Sequence, residues 1–218
     1  VISQYDKTYL EKLIHYNRAL AQRNTLLKQM AARQDSNYAQ LEIWDDRMDS
    51  LAAYIFEKRL ALIDQLLPVF RKYYQEISQG KETVGMHYKS QLEKEGLRAL
   101  LKRQFEKDRV LQHTSVGIHR DDIDLRIDGL PLRRAGSQGQ QKSFLVALKL
   151  AQLEFMAHTH PVQPLLLLDD IFDKLDAHRV SQIMGMVAHH HFGQIFVTDT
   201  NKERLQRLLE NIHAEDYR

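Results

Sequence analysis

The stretch Pro164-Leu-Leu-Leu-Leu-Asp-Asp-Ile-Phe-Asp-Lys-Leu-Asp176 sets four leucines directly before two carboxylates. A continuous apolar run this short reads as a strand covered on both faces. Adjacent carboxylates at its end are costly beside an apolar core unless something cationic sits with them. Open α/β sheets place their ligands at the C-terminal edge of their strands. At such an edge Asp169 can hold Mg²⁺, directly or through water, while Asp170 polarises a water for attack on a phosphate. A buried strand ending in a solvated acidic turn uses the same residues, so this segment alone leaves both readings open.

The surroundings extend the pattern. Gly136-Ser-Gln-Gly-Gln-Gln-Lys-Ser143 opens a helix predicted from about Gln138 to His158, with Phe144, Ala147, Leu148, Ala151 and Phe155 on one face. The amides and dipole of a helix start attract anions, Ser137 adds a hydroxyl, and Gly139 lets a phosphate approach the backbone closely. Ser137 as the N-cap of an ordinary helix accounts for the same residues. Ile123-Asp-Leu-Arg-Ile-Asp-Gly129 alternates strictly and predicts a half-buried strand. A helix from about Ala177 to His191 leads to Gln194-Ile-Phe-Val-Thr198, a second buried-strand candidate, and a last helix spans about Lys202 to Ile212. Strand, helix, strand, helix, strand is an α/β arrangement.

The chain before this region reads differently. Tyr5, Leu10, Leu13, Tyr16, Leu20 and Leu27 recur at helical spacing, with Asp6 placed as an N-cap. A longer stripe runs from Leu41 through Trp44, Met48, Leu51, Ile55, Leu62, Leu66 and Val69 to Tyr73, and Pro68 inside it predicts a kink or a break after Leu67. Ser78-Gln-Gly-Lys81 is a turn; Val84, Met86 and Tyr88 suggest a short strand, and Leu92, Leu97, Leu101 and Phe105 a third helix. The expected fold is therefore α plus α/β. A helical, coiled-coil-like domain over 1–110 precedes an α/β lobe over 111–218.

Composition removes several function classes. The 218 residues contain no cysteine, which excludes disulfides, zinc–thiolate sites and cysteine nucleophiles. A formal net charge of +2 does not by itself announce a nucleic-acid binder, so a basic surface would have to come from local bias. That bias is present at Arg98, Lys102, Arg103, Lys107 and Arg109, with Arg133, Arg134 and Lys142, which could contact a DNA backbone or form a solvated charged face. No apolar run approaches the roughly 20 residues that span a bilayer, and no signal-peptide pattern is visible. His189-His190-His191 cannot easily share an ion, because consecutive helical residues point about 100° apart. The chain opens on Val1 rather than Met, which fits a processed start or a piece of a longer protein.

In their order and spacing, the Ser137 loop and the Leu165–Asp170 strand resemble the signature loop and Walker B strand of ATP-binding-cassette ATPases. Further segments narrow the resemblance. Gln22-Arg-Asn-Thr-Leu-Leu-Lys28, His119-Arg-Asp-Asp122, Ser137-Gln-Gly-Gln-Gln141, Ala147-Leu-Lys-Leu-Ala151 and Leu166-Leu-Leu-Asp-Asp170, with Leu175-Asp176 and Arg179, resemble the RecF family of bacterial recombination proteins. The resemblance implies an ATP- and Mg²⁺-dependent homodimer in which each site takes a phosphate loop from one subunit and a signature loop from the other. Ser137, Gln138, Gly139 and Gln140 would then face a partner's ATP. Asp169 would serve Mg²⁺, Asp170 would orient the attacking water, and Thr198 would sense the γ-phosphate. Most cassette ATPases carry Glu at the position of Asp170, and many carry His where Thr198-Asp199-Thr200 stands. Asp173, Lys174, Leu175 and Asp176 resemble the dimer-contact loop, where the family more often has Ser-Glu for Asp173-Lys174. By the same resemblance His119–Asp122 is a conformational or interface element near the signature loop that could also contact DNA.

The phosphate loop, Gly-x-x-x-x-Gly-Lys-Ser/Thr, does not occur in these residues; Gly80 to Gly85 has the glycine spacing but continues Met86-His87. The resemblance therefore implies the C-terminal part of a slow ATPase, inactive without its other lobe. It also implies a cytoplasmic, nucleoid-associated role in DNA replication, repair and recombination, acting on duplex DNA and single-strand gaps with RecR, RecO and RecA. A helical scaffold with an inert α/β appendage is the rival reading. Another cassette head, of the SMC or overcoming-lysogenization-defect type, is a further one.

Overall fold

A computed structural model describes residues 1–159, 165–169, 173–189, 194–198 and 206. The chain divides into two compact units, Val1–Asp64 with His87–Asp124, and Gln65–Met86 with Leu125–Arg218. Its architecture is a helical part followed by an α/β part, as the periodicities predict. Among the described residues no helix is long and apolar enough to cross a membrane.

After the single turn α1 (Ile2–Tyr5), Asp6 caps α2 (Lys7–Arg33): its carboxylate accepts from the Tyr9 amide at 2.8 Å. Gln34, in the left-handed region at φ 54°, closes α2 as its amide and that of Asp35 return to Ala31 and Met30. Of the kink or break expected at Pro68, the break does not occur: the long helix α3 covers Ala39–Ser78. Proline withholds one amide from the carbonyl of Asp64, but Ile63, Leu66 and Phe70 are buried on either side and fix the flanking turns.

Strand β1 (Val84–Lys89) buries Val84, Met86 and Tyr88, as their alternation predicts. The expected third helix is broken instead. Ser90 starts a short 3-10 turn at Gln91–Glu93, Gly96 starts α4 (Leu97–Arg103), and Gln104, at φ −92° and ψ 4°, separates α4 from α5 (Phe105–Leu111). Leu92, Leu97, Leu101 and Phe105 keep helical spacing, but a fresh start at Ser90 and again at Gly96 divides the pattern.

The core of the first unit gathers Tyr16, Ala19, Met48, Ile55, Leu101 and Val116. Inside this unit, Arg23 is fully buried. Its Nε donates to Asp45 Oδ1 at 2.6 Å and its Nη1 to Asp108 Oδ2 at 2.8 Å and Thr114 Oγ1 at 2.9 Å. The Tyr38 hydroxyl donates to the other Asp45 oxygen at 2.6 Å, and the Ser115 amide to the other Asp108 oxygen at 2.9 Å. Burial raises the pKa of Asp45 above the usual carboxylate range, because Arg23 and Tyr38 offset its desolvation only in part.

Strand β2 (Asp122–Ile127), which enters the second unit at Leu125, turns through Asp128 and Gly129, at φ 47° and 77°, into the short β3 (Leu130–Pro131), pairing Ile127 with Leu130. Both turn residues have positive φ, as a two-residue hairpin of the primed kind requires. The sheet order is β1-β2-β3. The Ile123–Gly129 strand thus joins β1 and β3 rather than the Leu165–Leu168 strand, and Ile123 is exposed although Ile127 is buried. After the turn of α6 (Leu132–Ala135), α7 (Gln138–Thr159) buries Ser143, Phe144, Val146, Ala147, Leu150 and Ala151. Its buried face is therefore centred on Phe144 and Ala147, with Leu148 and Phe155 at its margin. Phe70 and Tyr74 stack against Phe144, with ring centroids 4.5 and 5.9 Å away.

Strand β4 (Leu166–Asp169) pairs in parallel with β5 (Ile195–Thr198), and α8 (Ala177–His189) lies between them in sequence. The expectation of two covered faces fails for these strands. Leu166 and Leu168 are buried at 7% and 4% exposure, while Leu167 is 71% exposed and its register partner Phe196 53%. The predicted last helix, about Lys202 to Ile212, lies outside the described residues apart from Gln206, as do His190 and His191.

Removing the buried cation leaves two buried carboxylates without their common partner. Arg23→Met is expected to cost about 3–5 kcal/mol of stability. Asp45→Asn, which removes the excess negative charge and keeps an oxygen towards Arg23, should cost less than about half of that. Urea unfolding of both variants measures the difference, and equal losses would rule out charge asymmetry as the constraint.

Candidate functional site

The start of α7 is built by a reciprocal cap. The Gln140 amide donates to Ser137 Oγ at 3.2 Å, and the Ser137 amide donates to Gln140 Oε1 at 2.8 Å. The amides of Gln138 and Gly139, first and second in the helix, have no intrahelical acceptor by the geometry of any α-helix. Ser137 and Gln138 are exposed, and Gly139 is half-buried. Glycine is required just before: a Cβ at Gly136 would stand 2.8 Å from the Leu132 carbonyl. At Gly139 a Cβ would approach the Lys174 carbonyl to 3.2 Å, so the α7 start and the Asp173–Asp176 loop lie against each other.

That loop turns at Lys174, which is left-handed at φ 64°, and buries Leu175. Asp176 then caps α8 by accepting from the Arg179 amide at 2.8 Å, a bond that holds its carboxyl below the usual range. The Arg179 guanidinium reaches Glu82 at 2.7 Å and Ser143 Oγ at 3.0 Å. Glu82 also accepts from Gln140 Nε2 at 3.0 Å and from the Tyr74 hydroxyl at 2.6 Å. Burial opposes its charged form, yet these donors outweigh burial and lower its pKa. Nothing in the sequence marks Glu82, because Gln140 and Arg179 lie 58 and 97 residues further along the chain.

At the other predicted feature, Asp169 and Thr198 are register partners at the C-terminal ends of β4 and β5. The Thr198 hydroxyl donates to Asp169 Oδ1. Both residues are exposed, so a strand-edge carboxylate stands beside a hydroxyl and is open to solvent. Mg²⁺ takes oxygen donors and commonly only one or two protein carboxylates, with water and phosphate completing its shell. Asp169 fits that role. Among the described residues no group of three or more His, Asp or Glu gathers into a metal cage. Asp170 and Asp199 lie outside the described residues.

No protein-family model matches the chain. The DNA replication and repair protein RecF of Bacteroides thetaiotaomicron is 48% identical over 218 residues, which is 100% of this chain and 58% of that protein. RecF of Flavobacterium johnsoniae is 45% identical over 213 residues, 98% of this chain and 59% of its own. A solved structure described as the recombination mediator protein RecF-ATPrS in the RecFOR pathway shares the fold with TM-score 0.79. It is 31% identical and covers 93% of this chain and 56% of its own.

The chain belongs to the RecF family. It spans 58% of the length of the first of these curated relatives.

Two other segments that resemble RecF, Gln22–Lys28 and His119–Asp122, serve packing within the first unit. Arg23 of the Gln22–Lys28 segment is the buried cation described above, and its neighbour Asn24 accepts from the Thr114 amide at 2.8 Å. In His119–Asp122, Asp121 accepts from Arg59 at 3.0 Å and from the Tyr88 hydroxyl. His119 Nε2 faces the Thr114 carbonyl at 3.2 Å, so that nitrogen carries the proton, and Nδ1 accepts from the Tyr16 hydroxyl at 3.0 Å. Gly117, at φ 120°, has no room for a side chain, since a Cβ would lie 2.5 Å from that same Tyr16 oxygen.

Among the predicted DNA contacts, Arg98 pairs with Asp46 at 2.9 Å and Arg103 with Glu95, while Lys102 is exposed on α4. Arg133 and Arg134 are exposed on α6, immediately before the α7 cap.

Burial lowers the pKa of His119 below an ordinary imidazole's, so the unfolded chain takes up a proton first as pH falls. The stability this residue contributes is therefore complete above about pH 6.5 and is lost as pH falls below it. His119→Asn should flatten the pH dependence of the urea midpoint in that window. Parallel profiles for wild type and variant would contradict the assignment.

Proposed function

We propose that this chain supplies one side of an ATP site that is completed across a dimer of RecF-type DNA repair proteins. The observation that carries the reading is the start of α7. An exposed capped serine and two helix amides without intrahelical acceptors stand beside the Asp173–Asp176 loop, an arrangement that receives an anion. Relatives described as RecF with ATP and with ATPrS support ATP as that anion.

In this reading residues 1–110 form the helical domain and 111–218 the nucleotide-facing lobe. Ser137, Gln138 and Gly139 meet the γ-phosphate of ATP held by a partner subunit, with the hydroxyl and amides as donors. Gln140 contributes through the cap, because its side chain is engaged by the Ser137 amide and by Glu82. Asp169 holds Mg²⁺, which when bound neutralises charge on the phosphates. Thr198 keeps the Asp169 carboxylate in one orientation and can pass its hydroxyl to a phosphate oxygen, and Asp170 orients the attacking water. Asp173, Lys174, Leu175 and Asp176 meet the opposite subunit.

The phosphate loop that grips the nucleotide is absent from these 218 residues. The chain by itself is therefore proposed to be silent as an ATPase, and the protein that unites it with such a loop to hydrolyse ATP slowly as a switch. Duplex DNA and single-strand gaps are the proposed substrates, RecR, RecO and RecA the proposed partners, and the nucleoid-associated cytoplasm the proposed location. Exposed Lys102, Arg133 and Arg134 are available for the DNA backbone, whereas Arg98 and Arg103 would first exchange their carboxylate partners.

Ser137→Arg in the full-length protein is expected to abolish ATP-dependent dimerisation, measured by light scattering, while ATP binding to the single subunit persists. The isolated 218 residues should show no ATP turnover above background. Intact dimerisation of the variant would favour a scaffold role, and turnover by the isolated chain would overturn the assignment of roles.

A further inference from the structure

One carboxylate joins the first turns of two helices. Glu82 Oε1 accepts from Gln140 Nε2 at 3.0 Å and from Arg179 Nη2 at 2.7 Å. Gln140 and Arg179 occupy the third positions of α7 and α8, and each takes part in its own helix cap. Gln140 receives the Ser137 amide, and the Arg179 amide donates to Asp176. A second tie runs from Arg179 Nη1 to Ser143 Oγ, whose hydroxyl donates to the Gly139 carbonyl at 2.8 Å. The remaining oxygen, Glu82 Oε2, accepts from Tyr74 near the end of α3.

Cap residues of this kind are ordinarily satisfied within their own turn. Here both caps extend to a residue on a third segment, the turn between α3 and β1. The Glu82 and Arg179 side chains are only 13% and 17% exposed, so the pair is sheltered from the screening that weakens surface ion pairs. Hydrogen bonds to a charged group are also roughly twice as strong as neutral ones. Displacing the 79–83 turn would therefore pull on both helix starts together.

The geometry points to Glu82 as a positioning residue that locks the Ser137–Gln140 turn and the Asp173–Asp176 loop into one element and ties that element to the end of α3. The inference rests on the reading above, in which these two segments face a partner's nucleotide and a partner's surface. Glu82 touches neither, and acts through Gln140 and Arg179. Its effect is preorganisation: a phosphate arriving at Ser137 finds the dimer-contact loop already ordered, so less freedom is lost on association. Glu82 also links the end of α3 to both contact segments, through the Tyr74 hydroxyl.

The test is hydrogen exchange on the full-length protein, read at the hydrogen-bonded amides of two windows, Gln140 and Gln141 in 138–141 and Arg179 and Val180 in 177–180. Glu82→Gln should speed exchange in both windows by about tenfold or more, the scale of a lost charged hydrogen bond. It should also raise the ATP concentration needed for half-maximal dimerisation while leaving ATP binding to the single subunit unchanged. If Glu82→Gln does not fold, Gln140→Leu serves instead: a shared joint loosens 177–180 as well as 138–141, whereas a local cap loosens 138–141 alone. Loosening confined to one window in either variant, or in neither, overturns the inference. Ser137→Arg, measured alongside, separates the two ideas. Normal dimerisation of that variant sinks the nucleotide reading while coupled exchange at the two windows would still stand.

Discussion

The helical unit depends on a guanidinium with nowhere else to go. Arg23 is fully buried between Asp45 of α3 and Asp108 of α5, and Thr114 from the following loop shares its Nη1. Apolar contacts between long helices tolerate sliding and rotation, because one leucine ridge fits many grooves. Bonds of 2.6 and 2.8 Å from one planar fork do not. Buried ion pairs add little net stability against an apolar replacement. What this one supplies is direction, a single register of α2 against α3 and α5. Tyr38 donates to the second oxygen of Asp45 and Ser115 to that of Asp108, while Asn24 Oδ1 accepts from the Thr114 amide and hydroxyl.

A comparable economy governs the second unit, where Glu82 and Arg179 take the part that Arg23 takes in the first. The difference is exposure. The Arg23 trio is closed, whereas the Glu82 group borders helix starts whose first residues are exposed. Closed networks fix a fold. Networks with one side open can also register what binds there. The signature-like turn is thus structural and receptive at once: the Ser137 oxygen accepts the Gln140 amide, and its hydroxyl hydrogen remains to be donated.

Much of this was legible in the sequence because it rests on local chemistry. Asp6 and Ser137 are short polar residues placed before apolar periodic runs, and each caps a helix. Val84, Met86 and Tyr88 alternate and are buried in alternation. The misses arise where distant partners or flanking turns decide. Pro68 predicts a kink or a break by a local rule, and with buried residues on either side α3 runs through it without the break. Leu92 to Phe105 has helical spacing, yet Ser90, Gly96 and Gln104 divide it into three pieces. Glu82 carried no signal at all, since a lone acid in a turn becomes a hub only through residues far along the chain.

The four leucines of Leu165–Leu168 show where a pattern of apolar residues stops being informative. A run without alternation predicts cover on both faces, and that prediction concerns what the side chains require rather than who supplies it. Leu166 and Leu168 are buried, while Leu167 and its register partner Phe196 stay exposed. Exposing two large apolar side chains side by side costs about 25 cal/mol for each Å² left in water. A two-stranded parallel sheet with one bare face is also rare, because parallel sheets are ordinarily covered on both sides. The same edge holds Asp169 and Thr198, and field lines from a carboxylate spread into water there instead of focusing on a phosphate. Covering the face of Leu167 and Phe196 would exclude water from beside Asp169, which is the condition under which a strand-edge carboxylate and its ion act most strongly.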